Sequence, residues 1–231
     1  MNTAQNNLRH LLYDPNSVAE MILDKLQRSV DELGRATMAI PGGRSPGPVL
    51  SVLAGRLPDE VRKRLHLFWV DERSVPPGDK ERNSSATLGA WKQGGPLPKY
   101  VYPMPAEYQD LESAAREYAQ ILARVTDGSP LDLCLLGVGE DGHIASLFPN
   151  HPGILKDDPV FAVYDSPKPP PRRLTLSLQV ISAAGLRIVL APGREKGIVF
   201  KEVIKGPDPA LPVSLLPRDN TVWFVDESAA G

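Results

Sequence analysis

The sequence predicts an α/β fold: an open, mostly parallel, Rossmann-like sheet with helices on both faces and a site at the carboxyl ends of the strands. Three observations support this fold class. Short apolar runs are continuous rather than alternating, helical patterns lie between them, and polar clusters directly follow several runs. Continuous runs are typical of parallel strands covered on both faces, and ligands in such sheets bind beyond the strand carboxyl ends.

The length and composition favour one domain over residues 1–231. Hydrophobic residues make up 42% of the chain and charged residues 23%, which excludes disorder as the main state. The 26 lysines and arginines against 28 aspartates and glutamates give a net charge of −2, so no nucleic-acid partner is expected. The single cysteine, Cys134, excludes an intrachain disulfide and a Cys-based zinc cluster.

Neither a membrane partner nor export is expected. No apolar run approaches the roughly 18 residues of a membrane span. Residues 1–16 are polar and contain no hydrophobic signal core. We therefore expect a cytoplasmic protein.

The first predicted helix begins at Ser17, because Ser17 and Glu20 have the spacing of a capping box. Gly34 is expected to end this helix as its C-terminal cap. Apolar residues recur near helical spacing between the two ends: Val18, Ile22, Leu26 and Leu33.

Strands and helices then alternate along the chain. Apolar runs predict buried strands at 36–40, 65–70, 131–136, 186–190 and 221–225. Helical patterns occur at 48–57, 112–125 and 195–204. The proline-rich segment 167–171 predicts an extended loop that enters a strand at Leu174, and residues 94–98 and 206–212 are predicted as further loops.

The first polar cluster follows the strand at 36–40 and contains Gly42, Gly43, Arg44 and Ser45. The glycines let the backbone approach a ligand, and the following helix start offers free N–H groups to an anion. Ser45 adds a hydroxyl group and Arg44 a cation. A plain strand-to-helix turn is the alternative, and the absence of either common nucleotide-binding glycine pattern weighs against a nucleotide.

The second cluster is Asp71-Glu72-Arg73, directly after the strand at 65–70. A carboxylate here could orient a histidine or take a proton, and Arg73 could bind phosphate or neutralise a developing oxyanion. An internal ion pair that fixes the loop is the alternative. Arg82 and Asn83 are expected in the loop that follows.

The third cluster is the glycine-rich segment 137–143, in which Asp141 precedes His143 by two residues. Histidine is the natural general base near neutral pH, and a nearby carboxylate can hold its tautomer. We therefore expect His143 to act in proton transfer. Cys134 lies inside the preceding strand pattern and is expected to be buried and inert.

The fourth cluster places Lys196 in the first turn of a predicted helix, where the helix dipole disfavours a cation. A bound anion would remove this conflict, and a surface lysine is the alternative. Arg172 and Arg173 form another candidate phosphate clamp. Together the clusters indicate a small phosphorylated ligand and proton-transfer chemistry.

Five motifs, in order, resemble those of the 6-phosphogluconolactonase family. They are G-G-R-S-P at 42–46, D-E-R-x-V-P at 71–76, L-G-x-G-x-D-G-H-I-A-S-L-F-P at 136–149, R-x-T-L at 173–176 and G-x-x-K at 193–196. That family shares its α/β fold with glucosamine-6-phosphate deaminases and sugar-phosphate-sensing regulator domains. The deaminase pattern has F-N-E-P after the histidine and D-E-Y as its second motif, so the resemblance favours the lactonases.

The resemblance implies a single phosphosugar-lactone hydrolase domain. It would hydrolyse 6-phospho-D-glucono-1,5-lactone in the oxidative pentose phosphate pathway, with no metal or organic cofactor, as a monomer or small homo-oligomer. His143 would activate water, Asp141 or Asp71 would orient the imidazole, and Arg73 would bind the oxyanion or the phosphate. The phosphate would be held by Gly42, Gly43, Arg44, Ser45, Arg172, Arg173 and Lys196. A glucosamine-6-phosphate deaminase and a non-catalytic phosphosugar sensor are the alternatives.

Overall fold

A computed structural model describes residues 8–227, so both ends of the predicted domain, 1–7 and 228–231, lie outside the described residues. Its elements follow in chain order: β1 (Arg9–Leu12), α1 (Pro15–Leu33), β2 (Ala36–Ile40), α2 (Pro46–Arg56), α3 (Asp59–Arg64), β3 (Leu65–Trp69), β4 (Asp71–Arg73), α4 (Asn83–Gly94), β5 (Tyr100–Val101), α5 (Leu111–Thr126), β6 (Leu133–Gly137), β7 (Val160–Val163), β8 (Arg173–Leu176), α6 (Leu178–Ala183), β9 (Leu186–Ala191), α7 (Arg194–Val203) and β10 (Thr221–Val225). Short 3₁₀ turns cover Pro152–Leu155 and Pro212–Leu215.

The main sheet has seven strands in the order β1-β10-β9-β6-β2-β3-β5, and every pairing in it is parallel. The predicted α/β class with a parallel sheet flanked by helices is confirmed. From β2 the chain builds outward through β3 and β5, and from β6 it builds the other way through β9 and β10. The strand order therefore reverses between β2 and β6, which is where a ligand crevice is expected in this class.

A second sheet, not predicted from the sequence, joins β4, β8 and β7 in antiparallel order. Strand β4 is the D-E-R motif itself, and one residue separates it from β3. Arg73 lies opposite Arg173 in this sheet. The small sheet thus carries three of the predicted site residues, Asp71, Arg73 and Arg173, past the carboxyl edge of the main sheet.

The core lies on both faces of the main sheet. All residues of β2 and β10 are buried, as their continuous apolar sequences predict. Cys134 on β6 is fully buried, and burial raises the pKa of its thiol to about 12, which agrees with an inert core residue. No helix between residues 8 and 227 combines the length and apolar character needed to cross a bilayer.

The first helix begins earlier than its predicted capping box. Asp14 is the N-terminal cap, because its carboxylate accepts hydrogen bonds from the backbone N–H and hydroxyl group of Ser17, both at 2.9 Å. The prediction that Ser17 starts the helix is therefore wrong. Gly34 ends it as predicted, with a φ of +71° that suits glycine.

The region after β4 also differs from the prediction. Asn83 is the first residue of helix α4 rather than part of a loop, and Gly94 is its last. No side chain of the residue before α4 caps this helix. Instead Glu72, eleven residues before Asn83, accepts the backbone N–H groups of Asn83 at 2.7 Å and Ser84 at 2.8 Å. The cap is thus supplied through the fold and not by the adjacent sequence.

Candidate active site

A cleft opens where β2 and β6 lie side by side, at the reversal point of the main sheet. The segments after these strands form two of its walls, and β4, β8 and the start of α7 complete it. The cleft brings together most of the residues that the sequence singled out: Gly42, Gly43, Arg44, Ser45, Asp71, Arg73, His143, Arg173 and Lys196.

The turn after β6 holds the histidine in a tight, internally bonded loop. The backbone N–H of Gly139 donates to the carbonyl oxygen of His143 at 2.9 Å, and that of Gly142 donates to Gly139 at 3.0 Å. A Cβ atom on Gly139 would overlap both the His143 ring and the carboxylate of Asp141. Residue 139 must therefore be glycine for these two side chains to meet.

Asp141 and His143 form a close pair within this turn. Asp141 Oδ1 lies 2.5 Å from His143 Nδ1, and the imidazole packs against the ring of Phe148 at a centroid distance of 4.9 Å. Burial raises the pKa of Asp141, but the hydrogen bond and charge of His143, with those of Lys168, outweigh it and hold this pKa well below its usual value. An ionised carboxylate at this distance requires a proton on Nδ1, which leaves Nε2 unprotonated in the neutral ring.

Asp71 is held on a different set of partners. It accepts the hydroxyl group of Ser146 at 2.7 Å and the side-chain amide of Asn83 at 3.1 Å, and it is almost fully buried. Neither contact involves His143. Of the two carboxylates that the sequence left open as the orienting group, the one in contact with the imidazole is Asp141.

The D-E-R motif divides three tasks among its residues. Asp71 faces the cleft, Glu72 caps α4, and Arg73 lines the cleft while pairing with Glu81 through Nη1 at 2.6 Å. Burial raises the pKa of Glu72, opposed by its backbone hydrogen bonds. The Nε atom of Arg73 is buried without a hydrogen-bond partner among residues 8–227. The internal ion pair considered for this motif exists, yet Arg73 keeps a donor unused.

The opposite wall of the cleft carries unneutralised positive charge. Lys196 Nζ donates to Ser45 Oγ at 2.9 Å, and Ser45, the residue before α2, makes no side-chain cap to that helix. Burial and the nearby Arg44 lower the pKa of Lys196, and Glu140 only partly offsets them. Within the described part of the chain, Arg44 makes no hydrogen bond or salt bridge. Because prolines at residues 46 and 48 remove N–H donors from the start of α2, it is mainly the two cations and the Ser45 hydroxyl group that suit this wall to an anion.

The loop before α2 also packs against the side of the cleft that holds Asp71. A Cβ atom on Gly42 would overlap the side chain of Asn83, whose amide holds Asp71. Glycine at residue 42 thus permits close packing between the two walls of the cleft.

The two predicted arginines do not form one clamp. Arg172 lies outside the cleft, where its guanidinium donates to the carbonyl of Gln109 at 2.8 Å and covers the ring of Tyr164. Arg173 is buried at the cleft, and its Nε and Nη2 donate to the carbonyls of residues 168–170 at 2.9–3.2 Å. Nη1 of Arg173 remains, 3.9 Å from Asp71 Oδ2.

Lys168 is a site residue that the sequence analysis missed. Its Nζ lies 3.1 Å from Asp141 Oδ2 and 3.3 Å from His143 Nδ1. The only available signal was a cation inside a stiff proline-rich segment that leads into a site strand. Across residues 8–227, no three histidine, cysteine, aspartate or glutamate side chains cluster closely enough to hold a metal ion.

Comparison with known proteins places these residues in a known group. Residues 15–223 match the family described as glucosamine-6-phosphate isomerases/6-phosphogluconolactonase. The chain is 36% identical to a 6-phosphogluconolactonase of Streptomyces coelicolor, covering 93% of this chain and 88% of the relative. It is also 36% identical to one of Mycobacterium tuberculosis, covering 93% and 92%.

Solved structures agree with this grouping. The crystal structure of a 6-phosphogluconolactonase from Thermotoga maritima superposes with a TM-score of 0.85 at 28% identity, covering 95% of this chain and 99% of that one. A monomeric glucosamine-6-phosphate deaminase gives a TM-score of 0.78 at 18% identity over 96% and 98% of the two chains. The second match shows the shared fold alone.

Proposed function

The chain belongs to the glucosamine-6-phosphate isomerase/6-phosphogluconolactonase family and is a lactone hydrolase, and we propose that it converts 6-phospho-D-glucono-1,5-lactone to 6-phosphogluconate. The names of the matching relatives and the D-G-H-I-A-S-L-F-P sequence at 141–149 support this substrate. We place the reaction in the cytoplasm, in the oxidative pentose phosphate pathway, without a metal or organic cofactor.

The observation that carries the proposal is the Asp141–His143 pair facing an anion-binding wall across one cleft. With Nδ1–H donated to Asp141, Nε2 of His143 is the basic nitrogen available to a water molecule. A lactone needs such a base near its carbonyl, and its phosphate needs a positive site some distance away. The cleft supplies both groups of residues.

The reaction follows from this arrangement. His143 Nε2 takes a proton from water as the water oxygen bonds to the lactone carbonyl carbon, which forms a tetrahedral oxyanion. When the oxyanion collapses, the bond to the ring oxygen breaks and the imidazolium returns its proton to that oxygen. The new carboxylic acid then ionises and releases one proton. Asp141 stabilises the imidazolium through the intermediate.

The phosphate is held on the opposite wall. Lys196, the hydroxyl group of Ser45 and the N–H of Gly47, the one donor that the prolines at 46 and 48 leave in the first three residues of α2, would bind its oxygens, and Arg44 adds a second positive charge. Binding the phosphate to these residues fixes the lactone carbonyl against His143, so the binding energy of the phosphate is used to position the reacting group.

Arg73 lies on the catalytic side, and we assign it to the oxyanion. It pairs across the small sheet with Arg173, whose guanidinium covers the Phe148 ring that packs against His143. Its buried, unpartnered Nε provides a charged donor for developing negative charge. Asp71 is held by Ser146 and Asn83, and its Oδ2 lies 3.9 Å from Nη1 of Arg173 beside this group.

The test is acid release in a weak buffer with freshly prepared 6-phosphogluconolactone. Because the lactone also opens spontaneously, the rate without protein must be subtracted. A rate far above that background, lost in His143→Gln, is expected. Ammonia release from glucosamine 6-phosphate would favour a deaminase instead, and phosphosugar binding with no turnover of either compound would favour a sensor.

A further inference from the structure

Among residues 8–227, Lys168 is the cation in contact with the Asp141–His143 pair. Its Nζ lies 3.1 Å from Asp141 Oδ2, while the other carboxylate oxygen, Oδ1, lies 2.5 Å from His143 Nδ1. The carboxylate is thus held at both ends, by the ring on one side and the ammonium on the other. No other described residue donates to Oδ2 of Asp141.

Lys168 reaches the pair from a segment that is itself firmly held. We call residues 166–171 the strap. The Oγ atom of Ser166 donates to the carbonyl of Lys168 at 2.8 Å and accepts its N–H at 3.2 Å. Arg173, buried on β8, donates to the carbonyls of residues 168–170. The backbone at Lys168 is therefore fixed by a buried guanidinium, and its side chain extends from a rigid point.

The two short contacts of His143 Nδ1 determine which atom carries the proton. If Nδ1 were unprotonated, its lone pair would face a carboxylate oxygen at 2.5 Å, which is repulsive. A proton on Nδ1 makes the contact with Asp141 a hydrogen bond, and Lys168 Nζ, which has only donors, then donates to Oδ2. Lys168 Nζ also lies 3.3 Å from Nδ1, but the shorter distances from Oδ1 to Nδ1 and from Nζ to Oδ2 favour a proton on Nδ1, which leaves Nε2 as the unprotonated nitrogen.

We propose that Lys168 is a positioning residue of the hydrolysis: by holding Oδ2 of Asp141 it fixes Oδ1 on the Nδ1–H group of His143 and so keeps Nε2 free to act as the base. Its effect on rate rests on the function proposed above, whereas its effect on the imidazole does not. Without the ammonium, Oδ2 loses its partner and the carboxylate is free to turn, so the contact of Oδ1 with the ring and the backbone N–H of His143 no longer fixes the tautomer as firmly.

The kinetic test compares Lys168→Met, Lys168→Arg and Lys92→Met. Lys92 lies exposed on α4 outside the cleft, so its variant is a matched control for loss of one positive charge. Lys168→Met should lower kcat on the order of 10- to 100-fold, the range for losing a hydrogen bond to a charged group, with KM within about twofold. Lys168→Arg, which can still donate to Oδ2, should recover most of the rate.

The decisive readout is the ¹⁵N NMR spectrum of the imidazole, assigned with His143→Gln. His143 should carry its proton on Nδ1 in the parent protein and in Lys168→Arg. In Lys168→Met the population should shift toward the tautomer with the proton on Nε2. Lys168→Gln, which keeps a neutral donor, should be intermediate.

Two outcomes would overturn the proposal. One is an unchanged tautomer in Lys168→Met whatever happens to kcat, which would assign any loss of rate to substrate contact. The other is a rise in KM with kcat retained. If the parent protein fails to hydrolyse the lactone, the proposed function fails, but the NMR comparison still decides whether Lys168 positions Asp141 and His143.

Discussion

The two walls of the cleft differ in whether their charged side chains already have partners inside the protein. We call the group Asp71, Asp141 and His143 the catalytic end, and the group Arg44, Ser45 and Lys196 the anion end. At the catalytic end each carboxylate has at least two hydrogen-bonded or ion-paired partners inside the protein. At the anion end Lys196 donates to one neutral hydroxyl group, and Arg44 has no partner of either kind within the described residues.

The difference separates groups that must be oriented before substrate arrives from groups that wait for it. A base works only in the correct tautomer and direction, so the protein satisfies its supports internally. A binding site for a dianionic phosphate gains nothing from being neutralised in advance. The chain carries a net charge of −2, yet positive side chains outnumber negative ones in the cleft, which would attract an anionic ligand.

The strongest test of whether the two ends act separately is His143→Gln, which removes the base and leaves the anion end intact. We expect kcat to fall about 10²- to 10⁴-fold, the usual contribution of a general acid–base residue, because glutamine cannot take a proton. Calorimetric titration with 6-phosphogluconate should show product affinity within a few fold of the parent. A comparable loss of affinity would mean that the two ends do not act separately.

Asp141→Asn tests which carboxylate orients the imidazole. The amide can keep one contact with His143 but cannot stabilise the imidazolium, so kcat should fall about 100-fold with KM nearly unchanged. The matched variant is Asp71→Asn, whose parent side chain bonds Ser146 and Asn83. Steady-state kinetics showing a larger kcat loss for Asp71→Asn than for Asp141→Asn would transfer the orienting role to Asp71.

Lys196→Ala should act on the anion end alone. Losing a charged hydrogen bond to phosphate, worth about 1.5–3 kcal/mol, should raise KM on the order of 10- to 100-fold while kcat stays within a few fold. The measurement is a full substrate titration, because a single concentration would confuse the two constants. An unchanged KM would make Lys196 a bystander at this wall.

The smallest expected effect concerns the coupling between Arg44 and Lys196. Burial and the charge of Arg44 lower the pKa of Lys196, so its ammonium group is lost at a lower pH than that of a free lysine. Product affinity should therefore decline on the alkaline side as pH rises through this lowered pKa. In Arg44→Met the repulsion is removed, the pKa of Lys196 rises, and the decline should move to higher pH.

Titrating product affinity against pH in both proteins measures this shift, and Lys196→Ala is the reference in which the decline should be absent. The lactone itself opens too quickly in base for such a profile, so the product is the suitable ligand. A decline at the same pH in the parent and Arg44→Met would show that Arg44 does not act on Lys196.

The sequence predicts best those parts of the fold whose cause is local. Strands 36–40 and 221–225 appear with the predicted limits, because a strand buried on both faces is apolar at nearly every position. Strand β1 was not predicted, since all four of its residues are exposed at the sheet edge and carry no such signal. Strand β4 was not predicted either, because it has only three residues, all of them polar, and its partner β8 is about a hundred residues away in the sequence.

The same distinction between local and distant causes applies to the candidate site. The four clusters could be located because glycines and charges directly follow strands, and the parallel sheet then brings those strand ends together. The contacts that distinguish one role from another could not be located, since they join distant segments: Ser146 with Asp71, Arg173 with the strap, and Lys168 with Asp141. Adjacency alone suggested Arg172 and Arg173 as a pair, but Arg172 directly precedes β8, and successive residues of an extended chain point to opposite sides.

Two glycines, Gly137 at the end of β6 and Gly139 in the turn after it, set unequal limits on how this sequence can diverge. A side chain at residue 139 would displace both members of the Asp141–His143 pair, so any descendant that keeps the pair keeps that glycine. Residue 137 also lines the cleft, yet a Cβ atom there meets no other atom within 4 Å. Mutational drift at residue 137 can therefore narrow the cavity and select among differently substituted ligands while the chemistry two residues away is inherited unchanged.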